Sequence, residues 1–240
     1  MRTLAALREM PEQPAVIVVD DASSDGTSDA VRDRCPSARI VSLAASAGAA
    51  ARNIGVRLAM TALVAFADDD SSYRDGSLAE AARIFHSRPL LGLLAARVLV
   101  GPEETLDPTC RAMETGPLRG FLACGAIVRR DAFLSAGGFH PWMAVGGEED
   151  LLAYRLAAAG WDLEYRPEVT VLHRPPQRID QAQRQRALAR NAALTDLIVR
   201  SPRQALVAGA RRMIHQPSPS VMAGTVEGIA AGMWLSSSNH

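Results

Sequence analysis

The feature of this sequence that most constrains its fold is a regular alternation of short apolar runs with helical segments. The runs are short and rich in β-branched residues, as strands buried on both faces usually are. Strand candidates cover residues 15–20, 39–43, 62–67, 90–100, 121–129 and 164–173. This β-α-β-α rhythm predicts an α/β domain with a mostly parallel sheet covered by helices.

The segments between these strands are predicted to be mainly helical. Helix candidates cover residues 1–10, 27–34, 47–60, 77–87 and 148–159, and residues 101–116 are predicted to form a long loop. After Pro175 and Pro176 the sequence becomes rich in Arg, Gln and Ala, and residues 177–200 are followed by two more helix candidates. We therefore expect an α/β domain over residues 1–176 and a C-terminal helical extension over residues 177–240.

Composition narrows the class of protein. Basic and acidic residues both number 26, so no overall field attracts nucleic acid. Three widely spaced cysteines form neither a disulfide framework nor a zinc-binding spacing. The longest late apolar stretch, 221–235, is interrupted by Glu227 and is too short to span a bilayer. We expect a soluble cytoplasmic protein, and the basic helices 184–190 and 203–212 leave open peripheral contact with the inner face of a membrane.

Two of the predicted strands end in clusters of aspartate. Asp20 and Asp21 follow the first strand candidate, and Asp68, Asp69 and Asp70 follow the third. Ligands of open α/β sheets bind beyond the carboxyl ends of the strands. Carboxylates at such a position can hold a hard cation together with substrate phosphates. The alternative is a set of solvated aspartates that cap helices.

Five motifs in order resemble those of family 2 glycosyltransferases. They are VIVVDDASSDGT at 16–27, ARNIG at 51–55, FADDD at 66–70, CGAIVRRDAFLSAGGF at 124–139 and GGEEDLLAYRLAAAGW at 146–161. The resemblance covers nearly three quarters of the chain and implies a GT-A fold, which is Rossmann-like. It also implies inverting transfer of one sugar from a nucleotide-sugar donor, with a UDP-sugar favoured. The acceptor would be a hydroxyl of a glycan or lipid-linked molecule, in cell-surface glycan or glycolipid synthesis.

The resemblance also implies roles on the donor side. Asp21 matches the residue that contacts the nucleotide base, and Arg52 lies near the nucleotide. Asp70 would bind the cation, Mn²⁺ or Mg²⁺, whereas Asp68 would face the ribose or the water shell of the metal. His173, at the end of the last strand, would complete the metal shell. The alternatives are a turn-forming role for Asp21 and a structural role for His173.

On the acceptor side, the family usually has Glu-Asp where this chain has Glu148, Glu149 and Asp150. Counting back without gaps from the helix that follows places Glu149 at the catalytic base, with Asp150 as the fallback. The alternative is that these acids only complement the dipole of a helix N-terminus. Glu148 and Gly147 are further candidates for substrate contact, and Trp142 is predicted either to stack on a sugar or to anchor its loop.

The sequence departs from the family at its start, where the usual first strand, a V-I-P-T-Y-N-like segment, is not found. We expect neighbouring strands to be left with unpaired N–H and C=O groups. An alternative function follows, namely a catalytically impaired nucleotide-sugar-binding or scaffold homologue. The glycine motifs of dinucleotide oxidoreductases and sugar nucleotidyltransferases are absent, as is the QxxRW motif of processive synthases.

Overall fold

The structure is a computed structural model that describes residues 1–116, 118, 120–143, 146–175 and 180–237. Over residues 1–87 the elements are α1 (Arg2–Glu9), β1 (Ile17–Asp20), α2 (Thr27–Arg34), β2 (Arg39–Ser42), α3 (Ala51–Leu58), β3 (Leu63–Ala65), β4 (Ser71–Tyr73) and α4 (Ser77–Ser87). The later elements are β5 (Leu91–Val100), β6 (Thr105–Leu106), α5 (Pro108–Glu114), β7 (Ala126–Arg129), α6 (Arg130–Ser135), α7 (Glu149–Ala158), β8 (Asp162–His173), α8 (Gln181–Val199), α9 (Pro202–His215) and α10 (Pro219–Ser237).

The main sheet is mixed, which corrects the prediction of a mostly parallel sheet. Its order is β3-β7-β5-β8-β4, with β6 paired to β5. Only β5 and β8 pair in parallel, whereas the other pairings in this sheet are antiparallel. The turn that carries the three aspartates joins β3 to β4, which are the first and last strands of this order and do not pair with each other. The α/β class itself is as expected.

The first two strands form a separate small sheet. β1 and β2 pair in parallel, from Ile17 opposite Arg39 to Asp20 opposite Ser42. Among the described residues, β1 pairs only with β2, and β3 pairs only with β7. The side chains of β1 are correspondingly less buried than those of β5. The strands that end in the two aspartate clusters are therefore not hydrogen-bonded to each other.

The core lies on both faces of β5. Leu91, Leu93 and Leu94 are fully buried there. Next to them, three aromatic rings pack edge to face with centroids 5.6–5.8 Å apart, from Phe66, Phe133 and Phe139. Such pairs stabilise a fold beyond the area that they bury. Phe66 belongs to the aspartate turn and Phe139 to the loop before α7, so the core fixes two loops that the sequence assigned to the site.

Two local predictions were wrong. Residues 101–116 are not a loop throughout, because they contain β6 and α5. The helix begins after Asp107, whose carboxylate accepts the Thr109 N–H at 2.7 Å, and Pro108 occupies the first helical position. Within the predicted strand 121–129, only Ala126–Arg129 is extended, since Ala123–Gly125 form a 3-10 turn.

Asn53 ties α3 to the loop before α7. Its amide donates to the Phe139 carbonyl at 2.8 Å and accepts the Phe139 N–H at 2.9 Å. Gly138, at φ +64°, lets the backbone approach, since a methyl group there would come within 2.5 Å of Asn53 Oδ1. The buried Asn53 side chain thus satisfies the backbone N–H and C=O of Phe139, as a neighbouring strand would.

Asn53→Ala should lower the free energy of unfolding by about 2–4 kcal/mol, because two buried backbone groups of Phe139 lose their partners. The measurement is urea unfolding followed by circular dichroism. Ser37→Ala, on an exposed turn, is the control and should change the free energy of unfolding by less than about 0.5 kcal/mol. An equal effect of the two substitutions would contradict the assignment.

The last three helices pack closely on one another. Glycines 224, 228 and 232 face α8, where a methyl group at Gly224 or Gly228 would come within about 2.2 Å of a backbone carbonyl of α8. Arg200 and Arg212 both pair with Asp196, at 2.9 and 2.7 Å. The predicted boundary at residues 176 and 177 lies outside the described residues. No helix within the described ranges is long and apolar enough to cross a bilayer.

Candidate active site

The turn between β3 and β4 presents the aspartates. The Thr3 hydroxyl of α1 donates to the carbonyls of Asp68 and Asp69, at 3.2 and 2.7 Å. The Asp68 N–H donates to the Ser71 hydroxyl at 2.8 Å, and the Ser71 N–H returns to the Asp68 carbonyl. The backbone of the turn is therefore held from two sides, which leaves its carboxylates to point away from the sheet.

Asp70 and His173 meet at the edge of the main sheet. His173 ends β8 opposite Ser71 of β4, so it lies beside the last aspartate of the turn. The His173 Nε2 atom is 3.3 Å from Asp70 Oδ1, and that oxygen is buried without a hydrogen-bond partner. Burial raises the pKa of Asp70, and His173 opposes this rise. A cation bound between the carboxylate oxygen and the imidazole nitrogen would give both atoms a partner.

This pair fits a divalent cation as two of its ligands. A hard cation that binds a nucleotide usually keeps several waters and takes phosphate oxygens, so it needs few protein ligands. Within the part of the chain that the structure describes, no cluster of three or more metal-binding side chains occurs. Asp70 and His173 are thus the protein donors that converge, and the remaining positions would belong to water and substrate.

Asp68 is engaged elsewhere. Its Oδ1 atom lies 2.7 Å from the Arg52 guanidinium, whose other nitrogen is 3.7 Å from Glu148 Oε1. The same guanidinium lies over the Phe139 ring, 5.7 Å from its centroid. Glu148 is 1% exposed, so this charge has its partner inside the protein. Asp68 and Glu148, both predicted to contact substrate, are joined by Arg52 into one buried network.

The start of α7 holds the candidate base. Glu148 accepts the Gly146 N–H, and Glu149 Oε1 accepts the Ala123 N–H at 3.3 Å. Burial raises the pKa of Glu149 to about 8, and the neighbouring Glu148 carboxylate adds to the rise. A carboxyl group with a pKa near neutrality is suited to accept a proton from a hydroxyl.

Asp150 differs from Glu149 in its surroundings. It keeps solvent-accessible surface but lies in a concave region next to Gly120, where a methyl group would come within 2.2 Å of its Oδ1 atom. Burial there, followed by repulsion from Glu148, raises the pKa of Asp150 to about 6. The two adjacent acids are therefore distinguishable by the pH at which each one ionises.

Cys124 lies near both groups of acids. It is buried in the 3-10 turn that also supplies the N–H bond to Glu149. Burial raises the pKa of the Cys124 thiol, and the carboxylates of Asp68, Asp70 and Glu149 raise it further. The aspartate turn and the start of α7 are thus both close enough to one thiol to affect its ionisation. The sequence showed Cys124 only as the first residue of a motif.

Asp21 holds the loop that leads into α3. Its carboxylate accepts the N–H groups of Ala47 and Gly48, at 2.6 and 3.1 Å, and the Ser46 hydroxyl at 2.6 Å. These bonds link it to residues that lie 25 to 27 positions later in the chain and so fix the start of the helix that carries Arg52. Contact of Asp21 with a nucleotide base stays a prediction.

The acceptor-side loop is supported by α8, which sequence reasoning missed. Asn191, fully buried, donates to the Gly146 carbonyl at 2.8 Å, and Arg190 donates to the Trp142 carbonyl at 2.8 Å. Gly147, at φ +82°, packs against α8. The Trp142 side chain is 41% exposed, so it has surface left for a ligand. The role of Asn191 could have been suspected from the sequence, because it is a polar residue on an otherwise apolar face of a helix.

The fold of this chain is similar to that of many solved structures. A mannosyltransferase from Pyrobaculum calidifontis, PcManGT, solved with GDP-Man and Mn²⁺, superposes with a TM-score of 0.63 at 21% identity, over 97% of this chain and 70% of that one. TarS of S. aureus gives a TM-score of 0.60 at 15% identity, over 88% of this chain and 39% of that one. These likenesses confirm the predicted GT-A fold.

A comparison with curated protein sequences gives no significant match. The sequence profile of the family described as "Glycosyl transferase family 2" matches residues 1–140, which is more than half of the chain. That span includes the aspartate turn, Arg52, Asn53 and the Phe139 loop, whose contacts are described above. The chain belongs to glycosyl transferase family 2.

Proposed function

We propose that the protein is an inverting, metal-dependent glycosyltransferase that moves one sugar from a nucleotide-sugar donor to an acceptor hydroxyl. The observation that carries this proposal is the arrangement around Cys124. Near this thiol lie Asp70, which is paired with His173 and could hold a cation with it, and Glu149, whose raised pKa suits a base. Inverting transfer needs these two functions and no nucleophilic side chain.

On the donor side, the proposal assigns binding and orientation to the aspartate turn. Asp70 and His173 would hold Mn²⁺ or Mg²⁺, which offsets the charge of a leaving nucleoside diphosphate. Arg52 lies next to this turn and is balanced by Asp68 and Glu148. A bound diphosphate would compete with Asp68 for the Arg52 guanidinium, so that Asp68 becomes available to a ribose hydroxyl or to a metal-bound water.

On the acceptor side, Glu149 would take the proton of the attacking hydroxyl. The oxygen then forms a bond to the anomeric carbon as the bond to the diphosphate oxygen breaks on the opposite face, which inverts that centre. Glu148 stays buried against Arg52 and the Gly146 N–H, so it positions the helix start. Trp142 and Gly147 lie in the same loop, and the proposal assigns them contacts with a sugar ring.

The donor and acceptor follow from the resemblance and are tested together. A UDP-sugar is the favoured donor, and the similar mannosyltransferase was solved with GDP-Man, so UDP-, GDP- and dTDP-sugars belong in one screen. Acceptors would be glycans or lipid-linked molecules of cell-surface synthesis. The proposal expects Mn²⁺-dependent release of one nucleoside diphosphate per sugar transferred, with inversion seen by NMR of the product. A product that retains the donor configuration would contradict the mechanism.

The pH dependence of transfer should identify the base. A base works only when ionised, so kcat/KM should fall about tenfold per pH unit below a midpoint near 8 if Glu149 takes the proton. Asp150 as the base would move that midpoint to about 6. The profile is measured with saturating Mn²⁺, and Asp150→Asn serves as the matched variant, which should keep the midpoint near 8. If the midpoint were near 6 and this pH dependence were lost in Asp150→Asn, Asp150 and not Glu149 would be the catalytic base.

A second candidate function is nucleotide-sugar binding without turnover. The observation that favours it is the separation of β1 and β2 from the main sheet, because the loop held by Asp21 is then not hydrogen-bonded to the strands that carry the metal ligands. Calorimetry with UDP and GDP, run beside a donor-hydrolysis assay, separates the two functions. Binding with no hydrolysis or transfer for any donor in the screen would support this second function.

A further inference from the structure

The outer face of the last two helices is apolar where a surface helix would normally be polar. Six large side chains define this outer face: Leu206, Val207 and Ile214 of α9, and Met222, Val226 and Met233 of α10. Each is more than half exposed, and Ile214 reaches 73%. Single exposed apolar residues are common, but six of them on two neighbouring helices indicate an interaction site.

Packing leaves these residues outside the contacts between the helices of the bundle. On α10, Gly224, Gly228 and Gly232 face α8, whereas Thr225 and Ile229 approach Gly209 of α9. Met222, Val226 and Met233 lie on neither of these contacts, and they follow one another at intervals of four and seven residues. Gly209 and Ala205 are the buried side of α9, so Val207 and Ile214 point outward as well.

Arginines border this apolar surface. Residues 180–237 contain seven arginines against three acids, although the whole chain is neutral. The acids are already engaged, since Asp180 caps α8, Asp196 pairs with Arg200 and Arg212, and Glu227 pairs with Arg186. Within the described ranges, Arg203 and Arg211 of α9 form no ion pair.

A basic groove runs beside the outer face. Its volume is about 580 Å³, and its lining residues include Arg200, Arg203, Arg211, Arg212 and His215. Arg203, Val207 and Arg211 stand four residues apart on α9, so one row of side chains belongs to both the groove and the outer face. An apolar surface bordered by cations matches the boundary between acyl chains and anionic headgroups.

We propose that the outer face of α9 and α10 binds the surface of an anionic phospholipid bilayer. The apolar side chains would enter the headgroup boundary, and Arg203 and Arg211 would extend to lipid phosphates. A twofold dimer through the same face would instead bring the arginines of two copies together with no unengaged carboxylate near them, which is unfavourable. The proposal does not depend on the catalytic activity, because no residue of this face belongs to the candidate site.

Vesicle sedimentation of the full chain tests this proposal. The wild type should bind phosphatidylcholine vesicles that contain phosphatidylglycerol and should be released by high salt. Arg203→Gln with Arg211→Gln should weaken this binding about 30-fold. Arg34→Gln with Arg57→Gln, on exposed positions of the α/β part, makes the same change in net charge and should bind as the wild type does.

A second pair of variants tests the apolar contribution. Val207→Ser with Ile214→Ser should weaken binding at least about tenfold without unfolding the chain, because both side chains are exposed. Unchanged binding of either outer-face variant would overturn the proposal. The proposal would also be overturned if the wild type did not bind vesicles but formed a dimer in light scattering, whereas the Ser variant stayed monomeric. The outer face would then bind a second copy of the chain.

Discussion

Glu149→Gln should lower the rate of sugar transfer by about 1,000-fold while leaving the affinity for the donor almost unchanged. The amide has the shape of the carboxyl group and can keep the bond from the Ala123 N–H, but it cannot accept a proton from the acceptor hydroxyl. Single-turnover transfer and calorimetric donor binding measure the two quantities separately. Asp150→Asn is the matched control, and it should reduce the rate far less.

The same variant should be more stable than the wild type at alkaline pH. The folded pKa of Glu149 lies above its unfolded value, so the unfolded chain loses this proton first as pH rises from about 4.5 towards 8. Across that window the wild type therefore loses stability. Glu149→Gln should gain up to about 5 kcal/mol relative to the wild type above pH 8 and nothing below pH 4. Normal turnover together with unchanged stability would remove Glu149 from the role of base.

The second large effect is expected at the cation pair. Asp70→Asn should abolish Mn²⁺-dependent transfer, with a loss of at least about 100-fold, because the ligand charge is removed while the side-chain shape is kept. His173→Ala should have a similar but smaller effect. The measurement is transfer as a function of Mn²⁺ concentration, in which both variants should need more metal.

Asp69→Asn is the control for this experiment. Asp69 is exposed and lies in the same turn, and only its backbone carbonyl is held, by Thr3. The substitution makes the same change in charge one residue away and should leave the Mn²⁺ dependence as it is. Equal losses from Asp69→Asn and Asp70→Asn would show a general effect of charge near the turn instead of coordination by Asp70.

The sequence predicted the parts of the site that depend on local order. A buried strand followed by three aspartates, and a helix that begins with three acids, place these groups at element ends whatever the rest of the chain does. The contact of Asp70 with His173 was expected from the family resemblance, and in the structure it depends on the pairing of β4 with β8. The meeting of Arg52 with Glu148 was not predicted, because it depends on packing between residues almost 100 positions apart.

Other features could not be predicted because they depend on tertiary pairing. Whether β4 and β7 run parallel or antiparallel to their neighbours is set by the packing of the sheet. The residues of a short strand do not specify its direction. The role of Asn53 requires the Phe139 loop to arrive beside it. By contrast, the start of α5 could have been predicted, because Asp107 followed by Pro108 is a typical helix cap and first helical residue. The acidic residues and prolines of that segment led instead to the prediction of a loop.

The central claim is that Asp70 and His173 hold one divalent cation together with a nucleoside diphosphate. Electron paramagnetic resonance of free Mn²⁺ measures this directly, in titrations of the wild type and of Asp70→Asn with and without UDP or GDP. We predict one Mn²⁺ bound per chain when the nucleotide is present, and loss of that binding in Asp70→Asn. Equal Mn²⁺ binding by the two proteins would contradict the account.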